Sequence, residues 1–346
     1  MREHDKHRLP KIDAKIRRAF HERLAAWYRN NQRPLPWREN SGAYAVAISE
    51  FMCQQTQIAT VLPYYARWMK SFPDWRELAA ASEDKVLKHW EGLGYYNRVR
   101  NLHKLAKTVV RDFNGVLPSE LETLRSLPGI GPYTAGAIAS ISFNQRAAVL
   151  DGNVERVLSR VFNLPWNVTR PAVKKLLWQL CESLMPDNHY GAHNQALMEL
   201  GALVCSPHSP QCLLCPLNAV CRVSDPESRP VKTRTSITRE KQEVAVLVTG
   251  KKIWLLDPSM PGRWKGFYRL PLFDESIMEK KVHIGRVAYS ITRFRVEADA
   301  WTAKWKKRVS LKGRWVSGKA LDQISLPAPH RKIIGLWLKS VTGARK

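Results

Sequence analysis

Apolar residues recur at helical spacing through the first two hundred residues of the chain. Ile12, Ile16, Phe20, Leu24 and Trp27 lie on one face of the first such segment. The same period continues in the segments AVAISEFMCQQTQIATVL, EDKVLKHWEGLG, NRVRNLHKLAKTVVRDF and PAVKKLLWQLCESLM. Two prolines in the intervening segment RPLPWRE predict a stiff loop. We therefore expect an all-α N-terminal domain.

The pattern changes after residue 222. Residues 223–241 are polar and basic and contain two prolines, which predicts a linker. Beyond it, QEVAVLVTGKKIWLLD predicts a β-hairpin turning near Gly250, and RVAYSITRFRVEADAWTAKW alternates with a phase slip near Thr292. APHRKIIGLWLKS predicts one amphipathic helix. We expect a helical domain over 1–222, a linker over 223–241 and a smaller α+β domain over 242–346.

The composition indicates what kind of partner these domains have. The chain has 346 residues, of which 44% are hydrophobic, enough for two packed cores. It carries 56 Lys and Arg against 30 Asp and Glu, a formal net charge of +26. Such an excess is most often retained because the partner is a polyanion, although a basic protein of the ribosomal type has it too. The charge therefore favours DNA or RNA as partner.

The sequence also bears on where the protein works. No apolar run approaches the length of a membrane span, and the first twenty residues lack the apolar stretch of a secretory signal. We expect no membrane partner, and action in the compartment where the protein is made. In a bacterium this is the cytoplasm, in association with the nucleoid.

Four of the six cysteines form a cluster in the chain with the spacing C-x6-C-x2-C-x5-C: Cys205, Cys212, Cys215 and Cys221. Four thiolates this close favour a soft metal, because a cation offsets their mutual repulsion. Disulfides are the less favoured alternative without an export signal. The spacing alone leaves zinc and an iron–sulfur cluster open. Cys53 and Cys181 lie in apolar helical segments and are predicted to be packing residues.

The segment LPGIGPYTAGA, residues 127–137, has two glycines between helical patterns. Gly129 and Gly131 allow backbone N–H groups to face outward, and the next helix adds its positive N-terminal end. An ordinary tight turn between packed helices is the alternative for such a pair of glycines. Together with the charge excess, the segment favours a helix-hairpin-helix that binds phosphate.

These motifs resemble a known family. The cysteine loop is similar to the [4Fe–4S] cluster loop of the endonuclease III superfamily of DNA glycosylases, and GPYTAGA resembles the MutY-type adenine DNA glycosylases. The resemblance covers nearly the whole chain through LPWRE, SEFMCQQTQ, GLGYYNRVRNL, LDGNVERVL and HNQALMELGALVC. It implies a helix-hairpin-helix glycosylase domain with a [4Fe–4S] cluster on the four cysteines, followed by a nudix-like domain.

The resemblance also assigns four residues to the active site. Glu50 is implied as the proton donor to adenine and activator of water, and Asp151 as the carboxylate facing the sugar, with Asn153 positioning groups nearby. Strand-nicking relatives carry a Schiff-base lysine where this chain has Tyr133, which implies base removal without an efficient lyase step. From the residues alone, Glu50 is equally a surface glutamate, and Asp151 suits a helix N-cap.

Further residues match the family's DNA contacts. Arg33, Trp37 and Arg38 resemble the pocket wall around a base flipped out of the duplex. Gln55 and Tyr95 match intercalating residues that fill the gap it leaves. For Tyr95, packing at a helix end is the alternative.

The C-terminal domain resembles the nudix-like lesion-recognition domain of the family through PSMPGRWKGFYRLPLF, residues 258–273. It has no REXXEE-type acidic box, so we expect it to bind DNA and not to hydrolyse nucleotides. The family usually places Phe-Ser-His on a hairpin touching 8-oxoguanine, whereas this chain has Ile291, Thr292 and Arg293 there. Thr292 keeps a hydroxyl, but Arg293 introduces a permanent cation, which suits phosphate or guanine contact.

The sequence therefore favours a monofunctional adenine DNA glycosylase of base excision repair. Its expected substrate is double-stranded DNA containing A:8-oxoguanine or A:G mispairs, and we expect a monomer. One alternative is a glycosylase for another mispaired base, such as thymine in T:G. The other is a non-catalytic iron–sulfur DNA-binding protein, against which the pair Glu50 and Asp151 argues, because a binding module needs neither.

Overall fold

A computed structural model describes residues 8–233, 236–306 and 311–342. The chain forms two compact units. The first, the helical unit, comprises the described residues of Met1–Ala80 and Asn101–Arg234, and the second, the sheet unit, those of Ala81–Arg100 and Thr235–Lys346. The predicted order of a helical part followed by an α+β part is confirmed. The assignment of residues 81–100 to the sheet unit differs from the prediction.

Twelve helices are formed before the first strand in the described part of the chain: α1 (Ala14–Asn31), α2 (Pro36–Glu39), α3 (Ala43–Cys53), α4 (Ile58–Ser71), α5 (Trp75–Ala80), α6 (Glu83–Trp90), α7 (Asn97–Phe113), α8 (Leu121–Ser126), α9 (Pro132–Phe143), α10 (Gly152–Val161), α11 (Pro171–Ser183) and α12 (Tyr190–Leu203). The later segment carries short 3-10 turns at Cys212–Leu214, Asn218–Val220 and Pro226–Ser228.

Two predictions for the early helices need correction. The run AVAISEFMCQQTQIATVL forms two helices, α3 and α4, because the chain turns at Gln54–Gln57 and Gln55 adopts a positive φ of 54°. RPLPWRE contains the one-turn helix α2, which begins at Pro36, where a proline costs no helical hydrogen bond.

Helix α9 lies at the centre of the helical unit and is buried over most of its surface. Its small residues permit close approach: a Cβ on Gly136 would overlap the carbonyl oxygen of Ala148. Asn194 of α12 joins the same elements by donating to Ser140 Oγ at 2.8 Å and to the Ala147 carbonyl at 2.7 Å. Tight packing here brings the N-termini of α9 and α10 and the middle of α12 together.

The sheet unit contains a five-stranded sheet of order β3-β4-β1-β2-β5, in which only β1 and β4 pair in parallel. The strands are β1 (Thr238–Thr249), β2 (Lys252–Leu256), β3 (Met278–Ile291), β4 (Phe294–Trp305) and β5 (Gly313–Ser317), followed by helices α13 (Gly318–Leu321) and α14 (Ala328–Thr342). The hairpin at Gly250 and the C-terminal helix are confirmed as predicted.

Two boundaries differ from the prediction. The predicted linker ends early, because β1 already begins at Thr238, where it pairs with Phe294 of β4. Strand pairing joins backbone groups, so the polar side chains at the start of β1 do not prevent it. The phase slip near Thr292 is a two-residue turn between β3 and β4, in which Thr292 adopts a φ of 48°. Within the described residues, no helix is long and apolar enough to cross a membrane.

We predict that Gly136→Ala destabilises the protein, because the added methyl group has no space beside the Ala148 carbonyl. The free energy of unfolding is expected to fall by about 1–3 kcal/mol, as for other overpacked cores. Denaturant unfolding measures it. Gly335→Ala, in α14 with no described atom within 4 Å of the new Cβ, is the control and should be neutral or slightly stabilising. Equal effects of the two substitutions would contradict the prediction.

Candidate active site

The helical unit contains a cavity of about 1290 Å³ between the end of α3, the starts of α4, α9 and α10, and α12. The structure brings many of the predicted functional residues together around it: Arg33, Trp37, Arg38, Glu50, Gln55, Gly129, Gly131, Tyr133, Asp151 and Asn153. Residues from five distant segments of the chain therefore converge on one space.

Glu50 is the acidic side chain of the apolar helix α3, whose neighbouring residues Ala47, Ile48, Phe51 and Met52 are buried. Burial raises the pKa of its carboxyl to about 7, the hydrogen bond with the Tyr133 hydroxyl opposes this, and the nearby Asp151 charge adds to it. The carboxyl is therefore half protonated near neutral pH.

Asp151 is both the N-cap of α10 and a wall residue of the cavity. Its carboxylate accepts hydrogen bonds from Asn153 N at 2.9 Å, Val154 N at 2.7 Å and Asn153 Nδ2 at 2.9 Å. Burial raises the pKa of Asp151, whereas these bonds act in the opposite direction. Together with the positive end of the helix, they favour the ionised form. The N-cap alternative and a functional position are therefore compatible.

Tyr133, in the first turn of α9, connects the carboxyl pair to α12. Its hydroxyl hydrogen-bonds Glu50 and lies 3.3 Å from Met198 Sδ. Burial, followed by the charges of Glu50 and Asp151, raises the pKa of the phenol well above its ordinary value. The group is therefore a neutral hydrogen-bonding partner at the cavity wall.

Glu199 is a site residue that the sequence reasoning missed. Its side chain is 1% exposed and accepts from the side chains of Arg33 and Arg38 at 2.7–3.1 Å, and from the Arg33 backbone N–H. Burial alone would raise the pKa of Glu199, but the two guanidinium groups lower it to about 2. Both arginines line the cavity, and both guanidinium groups form ion pairs with Glu199. The sequence did contain a signal for Glu199, because it is an acidic residue within the apolar helical pattern of HNQALMELGALVC.

Arg156 of α10 was missed as well, and it connects two predicted sites. Its guanidinium donates to Asn153 Oδ1 at 2.9 Å, to the Gly201 carbonyl at 2.7 Å and to the Cys205 carbonyl at 2.7 Å. One side chain thus links the Asp151–Asn153 cap to the first cysteine of the cysteine loop.

The four loop cysteines line one small, separate cavity together with Arg160: Cys205, Cys212, Cys215 and Cys221. None of them forms a disulfide in the described chain. Arg160 is 2% exposed and lies 3.4 Å from Cys205 Sγ, so a cation is buried beside the thiols. Across the described ranges, no three Cys, His, Asp or Glu side chains converge closely enough to hold a single metal ion.

The two glycines of the predicted hairpin have different requirements. Gly129 has a φ of 76°, and a Cβ there would lie 2.6 Å from Asn101 Cβ, so the turn requires glycine. Gly131 is the N-cap of α9 with a φ of −88°, which any residue can adopt, and no described atom lies within 4 Å of a Cβ placed there. The backbone requirement therefore applies to Gly129 alone.

The remaining predicted contacts lie in the sheet unit. Tyr95, 45% exposed with a φ of 48°, lines a cavity of about 650 Å³ together with Thr292. The Arg293 guanidinium lies 5.2 Å from the centre of the Phe294 ring, and Arg263 lies 4.9 Å from the same centre. Arg293 thus stacks on the base of the hairpin tip.

Comparisons with known proteins agree with this architecture. Residues 48–183 match the model of the HhH-GPD superfamily base excision DNA repair proteins. The chain is 31% identical over 341 residues to the adenine DNA glycosylase of Buchnera aphidicola subsp. Schizaphis graminum, covering 92% of this chain and 98% of that one. The chain therefore belongs to the adenine DNA glycosylase family of the HhH-GPD superfamily.

Other relatives are similar over part of the chain. The mouse adenine DNA glycosylase is 48% identical over 213 residues, which are 59% of this chain and 41% of that protein. This chain thus spans about two-fifths of the length of the mouse relative it matches. The solved structure of a thermostable thymine-DNA glycosylase has a TM-score of 0.55 and 26% identity, covering 60% of this chain and 95% of that one.

We predict that Glu50 makes the stability depend on pH. The folded protein keeps the Glu50 proton up to about pH 7, whereas the unfolded chain releases it near 4.5, so the folded state binds more protons between these values. The free energy of unfolding should therefore fall across this window as pH rises, by up to about 3 kcal/mol. Glu50→Gln should lack this component in denaturant unfolding, while the exposed Glu22→Gln control keeps it. Parallel curves for Glu50→Gln and wild type would contradict the assignment.

Proposed function

We propose that the protein is a monofunctional DNA glycosylase that hydrolyses the N-glycosidic bond of adenine mispaired with 8-oxoguanine or guanine in double-stranded DNA. One observation carries the proposal: Glu50 and Asp151 face a single cavity, where burial raises the pKa of both carboxyls, to about 7 for Glu50, and three hydrogen bonds oppose the rise at Asp151. This is the pairing that loss of a purine from a sugar requires, because the base must leave as a neutral molecule while positive charge develops on the sugar.

Glu50 serves as the acid in this proposal. With a pKa of about 7 it holds a proton at neutral pH and donates it to a ring nitrogen of the adenine, which improves the leaving group. The resulting carboxylate then accepts a proton from the attacking water. Tyr133 orients Glu50 through their hydrogen bond.

Asp151 serves as the stabilising carboxylate. Its three hydrogen bonds hold it in place at the start of α10, where it faces the sugar and stabilises the cation by charge or by a transient covalent bond. A tyrosine at position 133 provides no amine to attack the sugar, so the strand is not cut through a Schiff base.

Adenine reaches this cavity by leaving the duplex. Gln55, exposed on the turn between α3 and α4, and Tyr95 in the sheet unit fill the space left in the base stack. The Gly129 turn and the N-terminus of α9 bind a backbone phosphate, and the net charge of +26 supplies general attraction to DNA. The protein acts as a monomer.

A [4Fe–4S] cluster bound by Cys205, Cys212, Cys215 and Cys221 is the cofactor that fits the cysteine loop. The four thiols line one space beside the buried Arg160, and their spacing resembles that of the [4Fe–4S] loop of the endonuclease III superfamily. The cluster supplies structural order to the loop. Arg156 connects that loop to Asn153.

The sheet unit is proposed to be the nudix-like part that recognises the base opposite adenine. The Thr292 hydroxyl lies at the wall of its cavity and offers a hydrogen bond to that base. Arg293 stacks on Phe294 near the hairpin tip, a position from which its charge attracts the phosphate backbone. In this proposal Thr292 supplies a hydrogen-bonding group for the opposite base, and Arg293 binds the strand.

Excision of adenine is the first measurement. Purified protein should release adenine from duplexes containing A:8-oxoguanine or A:G and leave thymine in T:G intact. The T:G duplex is included because the similar structure named above is a thymine-DNA glycosylase. Glu50→Gln should lower the single-turnover rate by at least about a hundredfold while DNA affinity stays near that of wild type, since it loses the transferable proton.

The exposed Glu22→Gln is the matched control and should retain the wild-type rate. Thymine release from T:G without adenine release would establish the other glycosylase function. Binding without release of any base would instead establish the non-catalytic alternative.

Iron content tests the cofactor separately. We expect about four iron atoms per chain and a broad visible absorption that a zinc protein lacks, both lost in Cys212→Ser. Cys181→Ser, which changes a buried cysteine outside the loop, should keep the iron. Zinc in place of iron, or iron that survives Cys212→Ser, would contradict the assignment.

A further inference from the structure

Residues 81–100 belong to the sheet unit although they lie within the helical part of the sequence. They contain α6, the turn Glu91–Tyr96 and the start of α7. In this turn Gly92 and Gly94 have φ values of 106° and 72°, and Tyr95 follows with 48°. Glycine adopts a positive φ without strain, so Tyr95 is the residue of this turn whose backbone needs support from its surroundings.

Local hydrogen bonds supply part of that support. Trp90 Nε1 donates to the Gly94 carbonyl at 3.0 Å, and Arg98 Nη2 donates to the Leu93 and Gly94 carbonyls at 3.2 Å each. The Arg98 guanidinium also lies 5.4 Å from the centre of the Tyr95 ring. These contacts shape the turn, but they all come from its own flanking helices.

The attachment to the rest of the unit comes from α14. Arg331 donates through Nε and Nη2 to both carboxylate oxygens of Glu91, a two-pronged ion pair whose Glu91 side chain is only 11% exposed. Arg331 is itself held, since it donates to the Ile324 carbonyl at 2.7 Å and to the Leu321 carbonyl at 3.3 Å. A guanidinium fixed on three acceptors is well suited to hold a carboxylate in one orientation.

A second contact attaches the residues after Tyr95. The Tyr96 ring lies 4.3 Å from the centre of the Phe267 ring. Arg100 stacks on the same ring at 4.9 Å and donates to the Gly266 carbonyl at 3.2 Å. The residues before and after Tyr95 in the chain are therefore both held in place. The Tyr95 side chain itself stays exposed and lines the same cavity as Thr292.

We propose that the Arg331–Glu91 ion pair positions Tyr95 for mispair-specific binding. The ion pair fixes the Tyr95 turn, so that this turn and the β3–β4 hairpin form one preassembled surface. Arg331 is a positioning residue that acts through Glu91. The inference rests on the proposed function, in which Tyr95 enters the base stack. It adds that α14, over 230 residues away in sequence, controls where Tyr95 lies.

The test uses Arg331→Met, Glu91→Gln and the double variant in the full chain. The probe is a duplex in which 2′-fluoro-adenosine, which resists hydrolysis, faces 8-oxoguanine. Each single variant should bind it about tenfold more weakly, because a positioning group displaced by about 1 Å has effects of this size or larger. The double variant should lose no more than Glu91→Gln alone, because Glu91→Gln already removes the Arg331 contact along with the Lys88 ion pair.

Other quantities should not change in these variants. Affinity for a fully paired duplex should stay within about twofold of wild type, as should the single-turnover rate at saturating enzyme, since Glu50 and Asp151 are untouched. Arg286→Met is the matched control, because Arg286 pairs with Asp299 in the same two-pronged manner on β3. It should leave mispair affinity unchanged.

Hydrogen exchange of the DNA-free protein gives a readout that does not depend on catalysis. Amides of residues 92–96 should exchange faster in Arg331→Met and Glu91→Gln but not in Arg286→Met. Unchanged exchange in both, or additive losses of mispair affinity in the double variant, would overturn the inference. An inactive wild-type protein would contradict the proposed function, and exchange would still decide whether the ion pair holds the turn.

Discussion

The proposed chemistry of this protein depends on the desolvation of one carboxyl. Glu50 lies where α3 borders the cavity, and loss of water raises its pKa to about 7. Asp151 experiences burial too, yet three hydrogen bonds at the start of α10 favour its charge. Burial thus raises the pKa of both carboxyls, but the hydrogen bonds counteract it at Asp151, and this difference is the condition that the proposed acid catalysis requires.

That condition depends on close helix packing further inside. The small residues of α9 allow it to approach residues 147–149 at Gly136, and Asn194 ties α12 to the same place. The approach brings Tyr133 and Asp151 to one wall of the cavity. On another wall, Glu199 forms ion pairs with both Arg33 and Arg38 and offsets part of their positive charge.

The sheet unit follows a different principle, since its proposed functional residues lie on turns. Tyr95 and Thr292 both adopt positive φ at exposed turns. Both side chains are exposed, so their own burial does not stabilise the turns, and the Tyr95 turn is held by contacts with other elements. The Arg331–Glu91 pair and the Phe267 contacts do this for Tyr95. Such contacts leave the tips free to meet a ligand.

The sequence alone determined the helical and strand regions and the cysteine spacing, because local periodicity and residue chemistry depend on neighbouring positions. Glu50 and Asp151 were singled out through the resemblance to the family, since the residues by themselves also suit a surface glutamate and a helix N-cap. The sequence misplaced the linker end, where backbone pairing overrides polarity, and it marked the Thr292 turn only as a phase slip in the strand pattern. Only the tertiary structure decided that Glu50 loses water, that Arg33 and Arg38 meet Glu199, and that residues 81–100 join the sheet unit. Each depends on contacts between residues far apart in the chain, which periodicity does not encode.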